Sequence, residues 1–100
     1  MLFVIHAVDK PGSLELRLKT RAAHLDYLTA AGDSVIAAGP TLTEDGAGMT
    51  GSVLIIEAAD RAGAEAFARN DPYAKAGLFA STTIMPWRKV FLNPPRETGR

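Results

Sequence analysis

Laid out as a strand, Leu2-Phe3-Val4-Ile5-His6-Ala7-Val8 is apolar on both faces: Leu2, Val4, His6 and Val8 point one way, and Phe3, Ile5 and Ala7 the other. Its branched and aromatic content, followed by the breaker Asp9-Lys10-Pro11-Gly12, predicts a strand. A strand of this kind is stable only in a sheet covered on each side. The run Thr50 to Ala58, with Val53, Leu54, Ile55 and Ile56 at its centre, repeats the pattern. Any fold for this chain must therefore supply two covers for one sheet.

The remaining segments supply one of them. Ser13 is placed to cap a helix whose apolar positions Leu14, Leu18, Ala22, Leu25 and Leu28 follow a helical stripe, predicted to be its buried face, up to Gly32. Ser34 to Gly39 reads as a short strand, and Pro40 to Met49 as a polar loop leading into the second β-rich run, so the two strands form a hairpin with a long loop. Asp60 caps a second helix that carries Ala62, Ala66 and Phe67 and gives way near Asn70. Asp71-Pro72-Tyr73 then begins a short helix, with Asp as N-cap and Pro in the first position, ending near Gly77. Phe79 to Leu92 is the last strand, and Pro86 within it predicts an edge or a bulge.

The order is βαββαβ, an α+β, ferredoxin-like plan in which two helices cover one face of a four-stranded antiparallel sheet. The other face is apolar and uncovered, so a second sheet is expected on it, and the simplest source is another copy of the chain in a homodimer. Residues 1–92 are expected to form one domain, and 93–100, opening with Asn93-Pro94-Pro95, a mobile tail.

Composition removes several function classes. One hundred residues support one core and not two. Eleven Lys and Arg balance eleven Asp and Glu, which leaves no field to gather nucleic acid or an anionic membrane. The opening apolar run is too short to span a bilayer and lacks the basic start of a secretory signal, and cysteine is absent, so a cytoplasmic location is expected. With two histidines and no ligand spacing such as His-x-x-x-His, no metal is expected. Gly46-Ala47-Gly48 lies in a polar loop rather than between a strand and a helix, so it is no dinucleotide motif and no cofactor is expected.

Few side chains remain to carry chemistry. His24 borders the predicted apolar stripe with Arg17 and Tyr27, and two readings are open: a boundary histidine satisfied by a backbone carbonyl, or a general acid or base beside a cleft. Arg21 falls nearly inside the stripe, where a charge is costly, so it should have a partner. Asp71 is explained as an N-cap, but if it approaches His24 its carboxylate can also fix the imidazole tautomer. Ser52, after Gly51, places a hydroxyl at the open face or is merely a half-exposed strand residue. His6 reads as a core or interface histidine, and Trp87, beside Arg88 and Lys89, as a packing residue rather than a nucleic-acid contact.

Taken in order, the opening strand, Arg21-Ala22-Ala23-His24-Leu25, Ala38-Gly39-Pro40, Gly51-Ser52, Asp71-Pro72-Tyr73 and Trp87-Arg88-Lys89-Val90-Phe91 resemble the YciI-like family over Met1 to about Leu92. That resemblance implies a dimeric α+β barrel of ferredoxin-like subunits with an active-site cleft centred on a histidine and an aspartate, here His24 and Asp71. The broader barrel class includes lactone isomerases and dehydrochlorinases of aromatic-compound breakdown. The expected function is accordingly a small-molecule lyase or isomerase in which His24 moves a proton on a cyclic or aromatic substrate and Asp71 orients it. Arg21 is then expected to hold an anionic group or pair with Asp71, and Ser52 and Tyr73 to donate hydrogen bonds to the ligand. The alternative is an accessory protein of the same fold that binds a metabolite without changing it.

Overall fold

A computed structural model describes residues 1–93; the tail expected at 93–100 lies, from 94 on, outside the described residues. The elements are β1 (Leu2–Asp9), α1 (Leu14–Ala31), β2 (Val35–Leu42), β3 (Met49–Glu57), α2 (Arg61–Asn70), α3 (Pro72–Lys75) and β4 (Phe79–Trp87). The strands form one antiparallel sheet in the order β2-β3-β1-β4, so the two strands that are apolar on both faces lie side by side in its centre. This is the ferredoxin-like α+β arrangement expected from the element order.

Alternation along β1 and β3 decides where the core sits. Phe3 and Ile5 point to the helix-covered face with Leu54 and Ile56, where they pack against Ala64 of α2, with Leu28, Phe67 and Ile84 partly buried around them. Full burial of a side chain of this size contributes about 1.5–3 kcal/mol, so this row is the main source of stability. The opposite face carries Val4 between Ile55 and Met85, His6 between Val53 and Thr83, and Leu2 between Glu57 and Trp87. Leu2, Val4 and His6 are half-buried there, and Met85 and Trp87 are exposed. Trp87 thus packs less than its size suggested.

Local chemistry explains the element ends. Asp60 accepts a hydrogen bond from the Gly63 amide at 2.9 Å, and Asp71 one from the Tyr73 amide at 2.9 Å, so both aspartates cap as expected. Gly32, at φ 61°, ends α1 in a conformation that side chains with a Cβ resist. Ser13 stands at the N-cap of α1, but its side chain makes no capping bond. The hairpin loop is shorter than expected, because β2 continues through Pro40 to Leu42 and pairs Pro40 with Ser52. A proline is tolerated there because β2 is an edge strand. The final strand stops at Trp87 rather than Leu92, and β4 is the other edge, as Pro86 required.

The largest correction concerns α1. Leu14, Leu18 and Leu25 of the predicted buried stripe are 49, 53 and 41% exposed, whereas Arg17 and His24 are 3 and 8% exposed. The helix is rotated so that a polar face meets the sheet end and α3. Partners on neighbouring elements, described next, make that burial tolerable.

Candidate functional site

Arg17, Arg21 and His24 follow one another at i, i+4 and i+7, so they share a face of α1. That face meets α3, whose first turn delivers Asp71 and Tyr73. His24 Nδ1 lies 2.8 Å from Asp71 Oδ1, both residues being buried. The same carboxylate oxygen caps α3 through the Tyr73 amide, so the cap and the histidine contact are one structure. An ionised carboxylate can only accept, which assigns the proton to Nδ1 and leaves the Nε2 lone pair free.

Tyr73 fills the gap on the helix face. Its ring stacks on the His24 imidazole at 4.0 Å between centroids and 17° between planes, and the Arg17 guanidinium carbon lies 4.6 Å from its centroid. Seven helical residues rise about 10.5 Å, enough for one aromatic ring to stand between the side chains at the two ends. Arg17 donates from Nε and Nη2 to Asp9 at 2.7 and 2.9 Å, and from Nη2 also to Ser52 Oγ at 2.8 Å. Asp9 raises the Arg17 affinity for its proton by hydrogen bonding and by charge, against the opposing effect of burial. Burial pushes the Tyr73 hydroxyl above its ordinary value, with Arg17 and Arg21 pulling the other way, so it is a donor at neutral pH.

Strand alternation explains the lower half of the site. Ser52 continues the row of Leu54 and Ile56, and Asp9 that of Ile5 and Ala7, on the helix-covered face where the apolar core gives way. Ser52 is therefore buried rather than set on the open face. Gly51 makes this approach possible: a Cβ there would lie 2.2 Å from the Ala7 carbonyl oxygen.

A cavity of about 230 Å³ is lined by Arg17, Arg21, His24, Ser52 and Tyr73 together with Leu25, Leu28, Ala38, Pro40 and Met49. No buried side-chain nitrogen or oxygen among the described residues lacks a partner, and His24 Nε2 has none, so that atom reaches the cavity or solvent. A more open cleft of about 510 Å³ beside Met1, Leu2, Glu57 and Trp87 has no buried ionisable pair facing it. Among the described residues no three His, Cys, Asp or Glu side chains gather where they could share a metal ion. No helix described is long and apolar enough to cross a membrane.

The structure thus brings His24, Asp71, Arg21, Ser52 and Tyr73 to one place. Arg21 departs from expectation in one respect: it is exposed and, among the described residues, has no ion-pair or hydrogen-bond partner. Arg17 and Asp9 were not singled out for the site, and the signal was present: Arg17 is seven residues before His24, and Asp9 extends the inward row of β1 by one step. His6 stands apart on the open sheet face.

Residues 1–88 match the family described as the YCII-related domain. The protein YciI of Escherichia coli O6:H1 is 42% identical over 91% of this chain and 100% of its own length. A protein of Haemophilus influenzae is 38% identical over the same shares. Among solved structures, the 5-chloro-2-hydroxyhydroquinone dehydrochlorinase TftG of Burkholderia phenoliruptrix AC1100, in complex with 2,5-dihydroxybenzoquinone, superposes with a TM-score of 0.81 at 44% identity, covering 88% of this chain and 94% of that one. An antibiotic biosynthesis monooxygenase, at 18% identity and a TM-score of 0.53 over 90% of this chain and 99% of its own, shares the fold.

Proposed function

The chain belongs to the YCII-related family, and from that premise we propose that it is a small-molecule enzyme which moves a proton on a cyclic, oxygen-substituted substrate held beside His24. The observation that carries the reading is the buried His24–Asp71 pair, 2.8 Å apart, with His24 lining a cavity and its second ring nitrogen without a partner among the described residues. The dehydrochlorinase that is 44% identical to this chain acts on a single oxygenated ring, and the cavity here is of matching scale. An apolar cavity of about 150 Å³ admits benzene; 230 Å³ leaves room for one substituted ring.

The chemistry follows from the tautomer. Asp71 holds the Nδ1 proton, so Nε2 takes a proton from a substrate O–H or C–H, and the carboxylate stabilises the imidazolium that forms. In an isomerisation Nε2 returns the proton to a different atom of the ring. In an elimination the electron pair left behind expels a leaving group such as halide with its own pair, and the proton passes to solvent. Asp71 contacts the imidazole and the Tyr73 amide, and it orients the imidazole. Arg21, exposed and, among the described residues, without a carboxylate partner, is placed to attract a substrate anion.

The same reading makes the working unit a homodimer joined through the open sheet face, where Val4, Ile55 and Met85 form an apolar row that water would otherwise meet. The test is turnover of hydroxyhydroquinones, with and without a ring chlorine, by wild type and by His24→Ala. General acid–base catalysis contributes about 10²- to 10⁴-fold, and a loss of that order is expected. Equal turnover by the two proteins would sink the assignment.

A further inference from the structure

Proton transfer through His24 makes no use of Arg17, yet this cation is the most costly group the site buries. Placing a guanidinium away from water costs several kcal/mol unless its hydrogen bonds are made good. Two of them go to Asp9. The third, from Nη2 to Ser52 Oγ at 2.8 Å, occupies a lone pair of the serine and fixes where its hydroxyl hydrogen can point. That hydrogen has no acceptor among the described residues, and Ser52 lines the cavity. A hydroxyl whose oxygen is held by a cation is a stronger donor than a free one.

The other polar groups of the cavity have the same sign. The Tyr73 ring is held by Arg17 and His24, and its hydroxyl remains protonated. Arg21 adds a guanidinium one turn along α1. Both nearby carboxylates are engaged, Asp9 by Arg17 and Asp71 by His24 and the Tyr73 amide. Apart from His24 Nε2, the polar side chains of the lining are therefore free to donate, and Leu25, Leu28, Pro40 and Met49 supply its apolar part. A cavity that combines side-chain donors with hydrocarbon suits a flat ring bearing a negative oxygen.

We propose that Ser52 and Tyr73 form an oxyanion site for the ionised oxygen of a single-ring phenol or enol, and that Arg17 is its positioning residue. The inference rests on the cavity being the substrate site, but it does not require turnover. It also assigns Ser52 as a donor rather than a nucleophile, since its oxygen accepts a hydrogen bond from Arg17 and, among the described residues, no base is hydrogen-bonded to its hydroxyl hydrogen.

The test uses 4-nitrophenol, whose neutral and ionised forms differ in colour, titrated with the intact protein across pH. Wild type is expected to bind the phenolate at least about tenfold more tightly than the phenol, lowering the apparent pKa of the bound probe by about one unit. Ser52→Ala, which removes one oxygen, should lose most of that preference while binding nitrobenzene as wild type does. Arg17→Lys, which keeps the charge but not the fork, should lose it in part. Absence of binding at millimolar probe, capture of the neutral phenol, or an unchanged preference in Ser52→Ala would each overturn the oxyanion site. If His24→Ala abolishes turnover while Ser52→Ala leaves the phenolate preference intact, proton transfer stands and this inference falls.

Discussion

His24 Nδ1 and the amide of Tyr73 converge on one atom, Asp71 Oδ1, at 2.8 and 2.9 Å. The aspartate thereby ties the middle of α1 to the start of α3 and sets the imidazole in the same contact. Asparagine is as good a cap as aspartate but cannot stabilise an imidazolium, so the two roles separate by substitution. Asp71→Asn is expected to keep stability within about 0.5 kcal/mol of wild type while turnover falls on the order of 10²-fold or more. Asp71→Ala should lose both, with about 1 kcal/mol of stability going with the cap. Urea denaturation and steady-state rates on the same three proteins check this; equal stability loss in the two variants would contradict the shared-cap account.

Alkaline pH should weaken the fold through its buried phenols. Burial pushes both Tyr27 and Tyr73 above the ordinary tyrosine value, with the Asp71 charge adding to the shift at Tyr27. Above about pH 10 the unfolded chain releases these protons while the folded chain retains them. The unfolded state then binds fewer protons, so stability falls as pH rises. Below that value the two states carry the same protons at these sites and the contribution is complete. Tyr27 donates to the Phe67 carbonyl at 2.8 Å, a bond that only the protonated form supplies. The urea midpoint should therefore be insensitive to these groups from pH 8 to 9.5 and decline beyond pH 10. The decline should be shallower in Tyr27→Phe, and an identical slope would refute the assignment.

Sequence pattern reached the sheet because its cause is local. The alternation of Phe3, Ile5 and Leu54, Ile56 writes the buried face directly into β1 and β3, and Asp60 and Asp71-Pro72 mark their helices by capping chemistry that acts within three residues. The same reasoning failed on α1, where it assumed that leucines define the inward face. What buries Arg17 there is an ion pair with Asp9 and a bond to Ser52, eight and thirty-five residues away. Such partnerships become visible only once β1 and β3 lie side by side. His24 and Asp71, forty-seven residues apart, are paired by the resemblance to the YciI-like family, but their contact depends on the docking of α3. The strand ends were misplaced for a simpler reason. Edge strands accept proline, so Pro40 did not stop β2.

Gly51 is where the sheet limits what the site can contain. A Cβ added there would lie 2.2 Å from the Ala7 carbonyl oxygen and 3.0 Å from Thr41 Oγ1, and the first of these is backbone that has nowhere to move inside the sheet. Gly51→Ala should destabilise by about 1–3 kcal/mol, the usual range for overpacking. Because the strain falls on the residue before Ser52, it should also weaken phenolate binding more than Gly39→Ala does. Gly39 has open space around its added carbon. Comparing the urea midpoints of the two variants checks the first claim, and equal midpoints would show that β1 and β3 can separate without cost.

The open face of the sheet makes a separate demand. Val4 stands between Ile55 and Met85 on the side away from the helices, and nothing in the chain's own described fold covers that row. If a second copy packs there, each partner removes its row from water at about 25 cal/mol per Å² of apolar surface, and a charge set in the centre opposes that gain by desolvation. Ile55→Lys should therefore shift the protein toward monomer while leaving the helix-side core of Phe3, Ile5, Leu54 and Ile56 intact. Sedimentation velocity at micromolar concentration is expected to show a dimer for wild type and a monomer for the variant, with matching far-ultraviolet circular dichroism. Since the cavity residues His24, Asp71 and Ser52 lie on the other side of the sheet, the variant should still bind 4-nitrophenolate. A wild-type monomer would mean that the apolar row serves something other than self-association.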